Sequence, residues 1–179
     1  MKTILKNLVL VASLCALLPV LAARADDDSF APGGTAIDRH AERFHDLKII
    51  MDLKAMNIDS VKYGTMIASR LIENPGMQLA VIIEGPFVSV FAKKEYLDHQ
   101  GIVDQWAELA KKGVHVEFCG NSMLTAGLKP ADMEGLSEKN PAVVNAGAYP
   151  SIAHYESLGY ALIVPLLMPT PAQAPAPAK

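Results

Sequence analysis

The chain has 179 residues, a formal net charge of −3 and only two cysteines. That length holds one ordinary domain with a real core and no need for disulfide staples. The acidic balance, without a basic stripe or patch, excludes a nucleic-acid binder of the usual kind. The chain opens with Lys2 and Lys6, runs apolar from Leu8 to Ala22, and reaches Ala23-Arg24-Ala25 before Asp26, Asp27 and Asp28. A basic start, an apolar middle and an A-x-A site predict a secretory signal peptide over residues 1–25, cleaved after Ala25. The apolar run is short for a membrane span and Pro19 interrupts it. An uncleaved anchor is the alternative, and no membrane association is expected after cleavage. Leu14 stands before Cys15 where a lipoprotein site needs a small residue, so Cys15 reads as part of the signal.

Cleavage would remove Lys2, Lys6 and Arg24 and no acid, leaving 154 residues with a formal charge of −6. The signal points to the periplasm. Residues 26–45 form an N-terminal arm, acidic and Gly/Pro-containing up to about Ile37. The domain is expected over 46–168. Residues 169–179 are a Pro/Ala-rich tail that cannot form a helix or a ladder, and so should be extended and solvated.

Within the domain, Leu47–Leu53 predicts a first strand. Asp59 or Ser60 is expected to cap a helix with Val61, Gly64, Ile67, Ala68, Leu71 and Ile72 on its apolar face, stopped by Asn74, Pro75 and Gly76. Leu79–Ile83 is a continuous apolar run ending at Glu84, Gly85 and Pro86, as in a strand covered on both faces. Phe87–Lys94 fits either a short helix or a strand. From about His99 to Lys112, the face of Ile102, Val103, Trp106, Leu109 and Ala110 predicts a helix that Gly113 ends. A strand at Val114–Phe118, a short helix to Gly127 and a helical turn at Lys129–Met133 come next. Ala142–Asn145 is a fourth strand, Pro150–Leu158 a helix stopped by Gly159, and Tyr160–Val164 the last strand. Strands alternating with helices predict an α/β fold, a three-layer α/β/α sandwich around a mainly parallel five-stranded sheet. Its ligand chemistry should gather beyond the carboxyl ends of the strands. Strand order is not readable from these patterns.

Without Cys15, Cys119 has no intramolecular partner. It is therefore an inert buried residue, an intermolecular bridge or a reactive thiol. Its place at a strand end before a helix start favours the reactive reading. With Asn121 as N-cap, the amides of Gly120 to Met123 would face the sulfur and favour the nucleophilic thiolate. Gly120 would permit close approach, Asn121 would serve as a cap, and Ser122 could solvate the sulfur or simply start the helix. Glu84 is a candidate proton handler or a solvated turn carboxylate. Cys119 and Ser122 also have the Cys-x-x-Ser form of monothiol redox proteins, although that motif normally follows the first core strand. The histidines lack metal-ligand spacing: His40 and His45 are five apart, and His99, His115 and His154 are isolated. No metal or other cofactor is expected. Scattered methionines read as core fillers.

Three segments together are distinctive: Gly113–Met123, Ala126–Asp132 and Leu158–Pro165, with Val81–Pro86 upstream. In order, they resemble the DsrE/DsrF-like family, whose exported members carry a Cys-x-Asn-[Ser/Thr] turn, a Gly-[Leu/Ile]-x-x-x-Asp segment and a closing Gly-Tyr-Ala strand. The resemblance spans roughly Asp46 to Pro165. It implies sulfur carried as a cysteine persulfide on Cys119, assembly as a homo-oligomer, and a donor or acceptor that is a protein or a small sulfur compound. Gly120, Asn121, Ser122, Met123, Glu84 and Gly85 would support the site. The alternatives are a non-catalytic oligomeric binding or sensor protein and the monothiol redox protein.

Overall fold

The computed structural model describes residues 35–166. The expected signal peptide, residues 26–34 of the expected arm and the Pro/Ala-rich tail lie outside the described residues. The chain divides into two units, Met1–Ala41 and Glu42–Lys179. The described part of the first unit is irregular, with a turn at residues 40–41.

In the second unit, residues 43–46 are tied to the loop after the first helix. Arg43 forms a 2.7 Å ion pair with Glu73, and the Phe44 N–H donates to Asn74 Oδ1 at 2.9 Å. Strand β1 (Lys48–Lys54) then enters the sheet. Helix α1 (Ile58–Leu71) is capped by Asn57 rather than by the expected Asp59 or Ser60. Asn57 Oδ1 accepts from the Ser60 N–H at 2.8 Å, and Ser60 Oγ accepts from the Asn57 N–H at 3.1 Å. This reciprocal box satisfies two donors at once, which a cap one turn later could not do. Gly64 lets α1 cross close to β1, since a Cβ there would lie 2.5 Å from a Leu53 methyl.

Strand β2 (Gln78–Glu84) leads into 3₁₀ turns at Pro86–Phe91 and Lys93–Glu95, which settles the ambiguous segment. The β-branched residues do not make a strand there, because Val88, Val90 and Phe91 are buried as a plug beside α2 (Tyr96–Lys111). Helix α2 begins three residues before the expected start and bends at His99, whose φ/ψ of −124°/15° is not helical. Strand β3 (His115–Cys119), helix α3 (Gly120–Thr125), a 3₁₀ turn (Pro130–Asp132) and β4 (Val143–Asn145) follow. Helix α4 (Ala148–Ser157) starts two residues before Pro150, and β5 (Ala161–Ile163) ends the described fold.

All five strands are parallel, in the order β4-β3-β2-β1-β5. Right-handed crossovers explain what each face receives. The chain steps from β1 to β2, β3 and β4 in one direction, so α1 and α2 fall on one face. It then returns across the whole sheet to β5, so α4 falls on the other. The first face holds the main core, where Met51, Leu53, Val81, Ile83, Val116 and Phe118 pack under α1 and α2. Phe91 joins it, with ring centroids 5.1 Å from Phe118 and 6.4 Å from Trp106. The second face has a small apolar cluster of Ile50, Ala80, Ile82, Cys119, Ala148 and Ile152 under α4. Among the described residues, no helix is long and apolar enough to cross a membrane.

Candidate functional site

Side chains alternate between the two faces along each strand. The residues that share parity with Cys119 therefore share its face: His115 and Glu117 on β3, Asp52 and Lys54 on β1, Glu84 on β2. Register brings them into rows. Asp52 pairs with Ile82 and Ile82 with Glu117, while Lys54 pairs with Glu84 and Cys119 with Asn145. Glu84 and Cys119 each follow directly on the paired Ile83 and Phe118. Lys54, Glu84, Cys119 and Asn145 thus form one row across the carboxyl ends of four strands, at about 4.8 Å per strand.

Cys119 is free and 2 % exposed. It is itself the N-cap of α3, with φ/ψ of −65°/114°, and makes no side-chain capping bond. Asn121 is not the cap. It is the second helical residue and its side chain lies beside Gly147, where a Cβ would meet Asn121 Nδ2 at 2.8 Å. The Gly120 N–H is directed to Asn145 Oδ1 at 3.4 Å, which also accepts from the Gly147 N–H at 2.9 Å. Gly120 permits this approach: a Cβ would lie 2.3 Å from the Asn145 carbonyl oxygen. Ser122 Oγ accepts from the Gly85 N–H at 2.9 Å. Met123 is buried in the main core, on the other face. Gly85 has φ of 107° and leaves no room for a Cβ against the Ala55 carbonyl, so the β2 turn is locked to both β1 and α3. A cavity of about 330 Å³ opens against this junction, lined by Gly85, Pro86, Ser122, Thr125 and Ala126.

Glu84 is not a solvated turn carboxylate. Lys54 Nζ contacts Glu84 Oε1 directly and Asp52 Oδ2 at 2.8 Å, and lies 5.4 Å from the centre of the Tyr149 ring. Burial works against the Lys54 charge, but the two carboxylates outweigh it and hold the ammonium above its ordinary pKa. Burial raises the pKa of Asp52, only partly opposed by the hydrogen bond from Lys54. Asp52 Oδ1 is buried without a hydrogen-bond partner.

A second network lies one row deeper. Glu117 accepts from Asn145 Nδ2 at 2.8 Å and from the Tyr155 hydroxyl at 2.9 Å, and His115 Nε2 is 3.3 Å from Oε1. Burial alone would raise the Glu117 pKa, but these donors bring it down to about 2. The Glu117 contact, against the effect of burial, raises His115. Burial, then the bond to Glu117, raises Tyr155. Asn145 joins this network to the start of α3, so the backbone around Cys119 is anchored to a buried charge.

The expected residues therefore separate. Cys119, Gly120, Ser122, Glu84 and Gly85 meet at one junction, Asn121 borders it, and Met123 belongs to the core. The alternation of His115, Glu117 and Cys119 was visible in sequence, as was that of Asp52 and Lys54. Their meeting with Asn145, Tyr149 and Tyr155 needed the strand order. Among the described residues, no three His, Cys, Asp or Glu side chains are placed to hold a metal.

The solved structure of a protein of unknown function from Methanobacterium thermoautotrophicum is similar over 67 % of this chain and 100 % of its own, with a TM-score of 0.55 and 17 % identity. The ychN protein from E. coli is similar over 66 % of this chain and 98 % of its own, with a TM-score of 0.45 and 11 % identity. No match to a curated protein was found. The profile of the DsrE/DsrF-like family matches residues 35–165, most of the chain and all five strands, and the chain belongs to that family.

Proposed function

We propose that this protein takes part in a sulfur-relay type of process and holds sulfane sulfur as a persulfide on Cys119. The observation that carries the reading is the position of the thiol: the N-cap of α3, at the carboxyl end of β3, with no capping bond of its own. A helix's first-turn N–H groups lack intrahelical acceptors. At α3 the Gly120 N–H is directed to Asn145 Oδ1, and an ionised sulfur or a persulfide at the N-cap is the acceptor that the next amides would take. Family membership supports sulfur as the cargo. In the transfer, the Cys119 thiolate attacks the outer sulfur of a donor persulfide. The new S–S bond forms as the donor's breaks, and the donor thiolate leaves with the electron pair and takes up a proton. No external oxidant or reductant is required. Delivery is the same displacement by an acceptor thiolate.

At 2 % exposure, Cys119 must first be uncovered. Ala148, in the first turn of α4, packs in its cluster. Gly147, with φ of 136°, is the joint on which that turn would swing. Export to the periplasm and assembly as a homo-oligomer belong to the same proposal. Exposed Tyr149, Leu158, Leu162 and Val164 on α4 and around β5 offer apolar surface for a second copy. The test is the intact mass of the protein after exposure to a sulfane-sulfur donor, beside Cys119→Ser. Added sulfur that reductant removes and the variant lacks supports the persulfide. No adduct on the wild-type chain refutes it.

The burial of Cys119 favours a second reading, a binding or sensor protein in which the thiol is a packing residue. In that case Cys119→Ser alters stability, and ligand or partner binding survives it.

A further inference from the structure

Resting on the persulfide reading, we propose that the donor accepted at Cys119 carries a cationic, hydrogen-bond-donating group such as an ammonium near its sulfane sulfur. An oxyanionic donor such as thiosulfate is rejected.

The charges that share the sulfur's face are acidic in sum. Glu84 follows in the same row on the adjacent strand, and Glu117 lies two residues back on β3, about 7 Å away along the strand. Asp52 lies on β1 in the Glu117 row. Among the described strand residues Lys54 is the one lysine or arginine in the sulfur's row, and it is already shared by Asp52 and Glu84. His115 is four residues toward the amino end of β3, about 13 Å from Cys119. The segments that frame the carboxyl edge, residues 55–57, 85–92, 120–128 and 146–151, contain no charged side chain. Lys93 and Lys129 lie just beyond these segments, and Lys93 Nζ donates to the Ala131 carbonyl at 2.9 Å, so in the sulfur's own row only Lys54 offsets the carboxylates for an incoming anion.

A second feature of the same cluster asks for a donor. The Asp52 side chain is 5 % exposed, and its Oδ1 has no hydrogen-bond partner. A buried acceptor left in this condition is costly. An ammonium drawn toward this cluster would bring donors to a surplus of acceptors, while a sulfonate-like group would add one more acceptor. The Tyr149 ring, exposed and already 5.4 Å from one ammonium, presents a further surface that favours a cation.

The step balances with such a donor. An aminothiol persulfide gives its outer sulfur to the Cys119 thiolate and leaves as the aminothiolate, which recovers the proton lost when Cys119 ionised.

Two methanethiosulfonate probes with the same reactive group and opposite charge test the field. One carries a trimethylammonium and the other a sulfonate, and each rate at Cys119 is normalised to its rate with 2-mercaptoethanol. The cationic probe should be faster by on the order of tenfold. The preference should fall in Glu84→Gln and Asp52→Asn and rise in Lys54→Met. Opposite changes in these variants cannot come from a common loss of folding. In parallel, cysteamine persulfide should load sulfur on Cys119 faster than thiosulfate does. Equal normalised rates, a faster sulfonate probe, or a preference unmoved by Glu84→Gln overturns the proposal. Charge preference without sulfur retained from either donor refutes the persulfide reading instead, and the donor assignment falls with it.

Discussion

The two faces of the sheet are built on opposite terms. Under α1 and α2, buried side chains are almost all apolar, and Phe91, Trp106 and Phe118 interlock. Under α4, the same strands present Asp52, Lys54, Glu84, His115, Glu117 and Cys119, and one ten-residue helix covers them. Burying charge under a thin cover gives little stability, because desolvation offsets much of what each pair returns. The first face makes the domain stable, and the second holds the thiol and the charged groups to which the proposed chemistry belongs. The crossover rule connects them: three same-direction steps stack the scaffold on one side, and the single return leaves the other lightly covered.

The largest test removes material from the apolar face. Phe118→Ala should cost about 3–5 kcal/mol in urea unfolding, through lost burial and the cavity left behind. Normalised probe preference at Cys119 should hardly change, because Phe118 points away from the thiol. A large change in that preference would break the division between the faces.

Next is the buried carboxylate. Glu117→Gln keeps the shape but weakens the acceptor of the Asn145 and Tyr155 bonds, and should cost about 1–3 kcal/mol at pH 7. The pH dependence gives the sign. The Glu117 pKa is lowered in the fold to about 2 from 4.5, so its stabilisation is present above pH 4.5 and disappears as pH falls toward 2. Wild type and variant should converge over that window. A difference that stays constant would show that the charge is not what matters.

Gly120→Ala sharpens the comparison on the functional face alone. Its Cβ would lie 2.3 Å from the Asn145 carbonyl, forcing α3 and the end of β4 apart at a cost of about 1–3 kcal/mol. Cys119 should then label faster under native conditions. A cost with no change in labelling would separate the Asn145 anchor from the thiol.

The smallest effect is at His115. Its pKa is raised in the fold, so its contribution is fully present below the unfolded value near 6.5 and is lost as pH rises through the folded pKa. With its side chain 34 % exposed, it should contribute less than about 1 kcal/mol. His115→Gln should remove that slope above pH 6.5.

The asymmetry was only half legible in the sequence. The scaffold announced itself, because Val81–Ile83 is a continuous apolar run and Val61, Ala68, Ile102 and Trp106 recur at helical spacing. Cys119 was legible from its place between an apolar strand and Gly120. Its surroundings were not, for a physical reason. A charged residue at alternate positions of a strand looks the same facing water or facing a buried row, and only strand order decides. The cap of α3 was misplaced because Asn121 is a residue type that caps well, whereas the backbone turns two residues earlier, where Gly120 can pass Asn145.

Sulfur chemistry at Cys119 requires one event above all, its uncovering by a local movement of α4 while the apolar face stays folded. Thiol labelling of Cys119 in increasing, sub-denaturing urea, set beside the global unfolding free energy, measures it directly. Labelling through an opening well below the global value, and nearly independent of urea, is the expected result. Labelling only at the rate and urea dependence of global unfolding would make Cys119 a core residue and contradict the sulfur chemistry proposed for it.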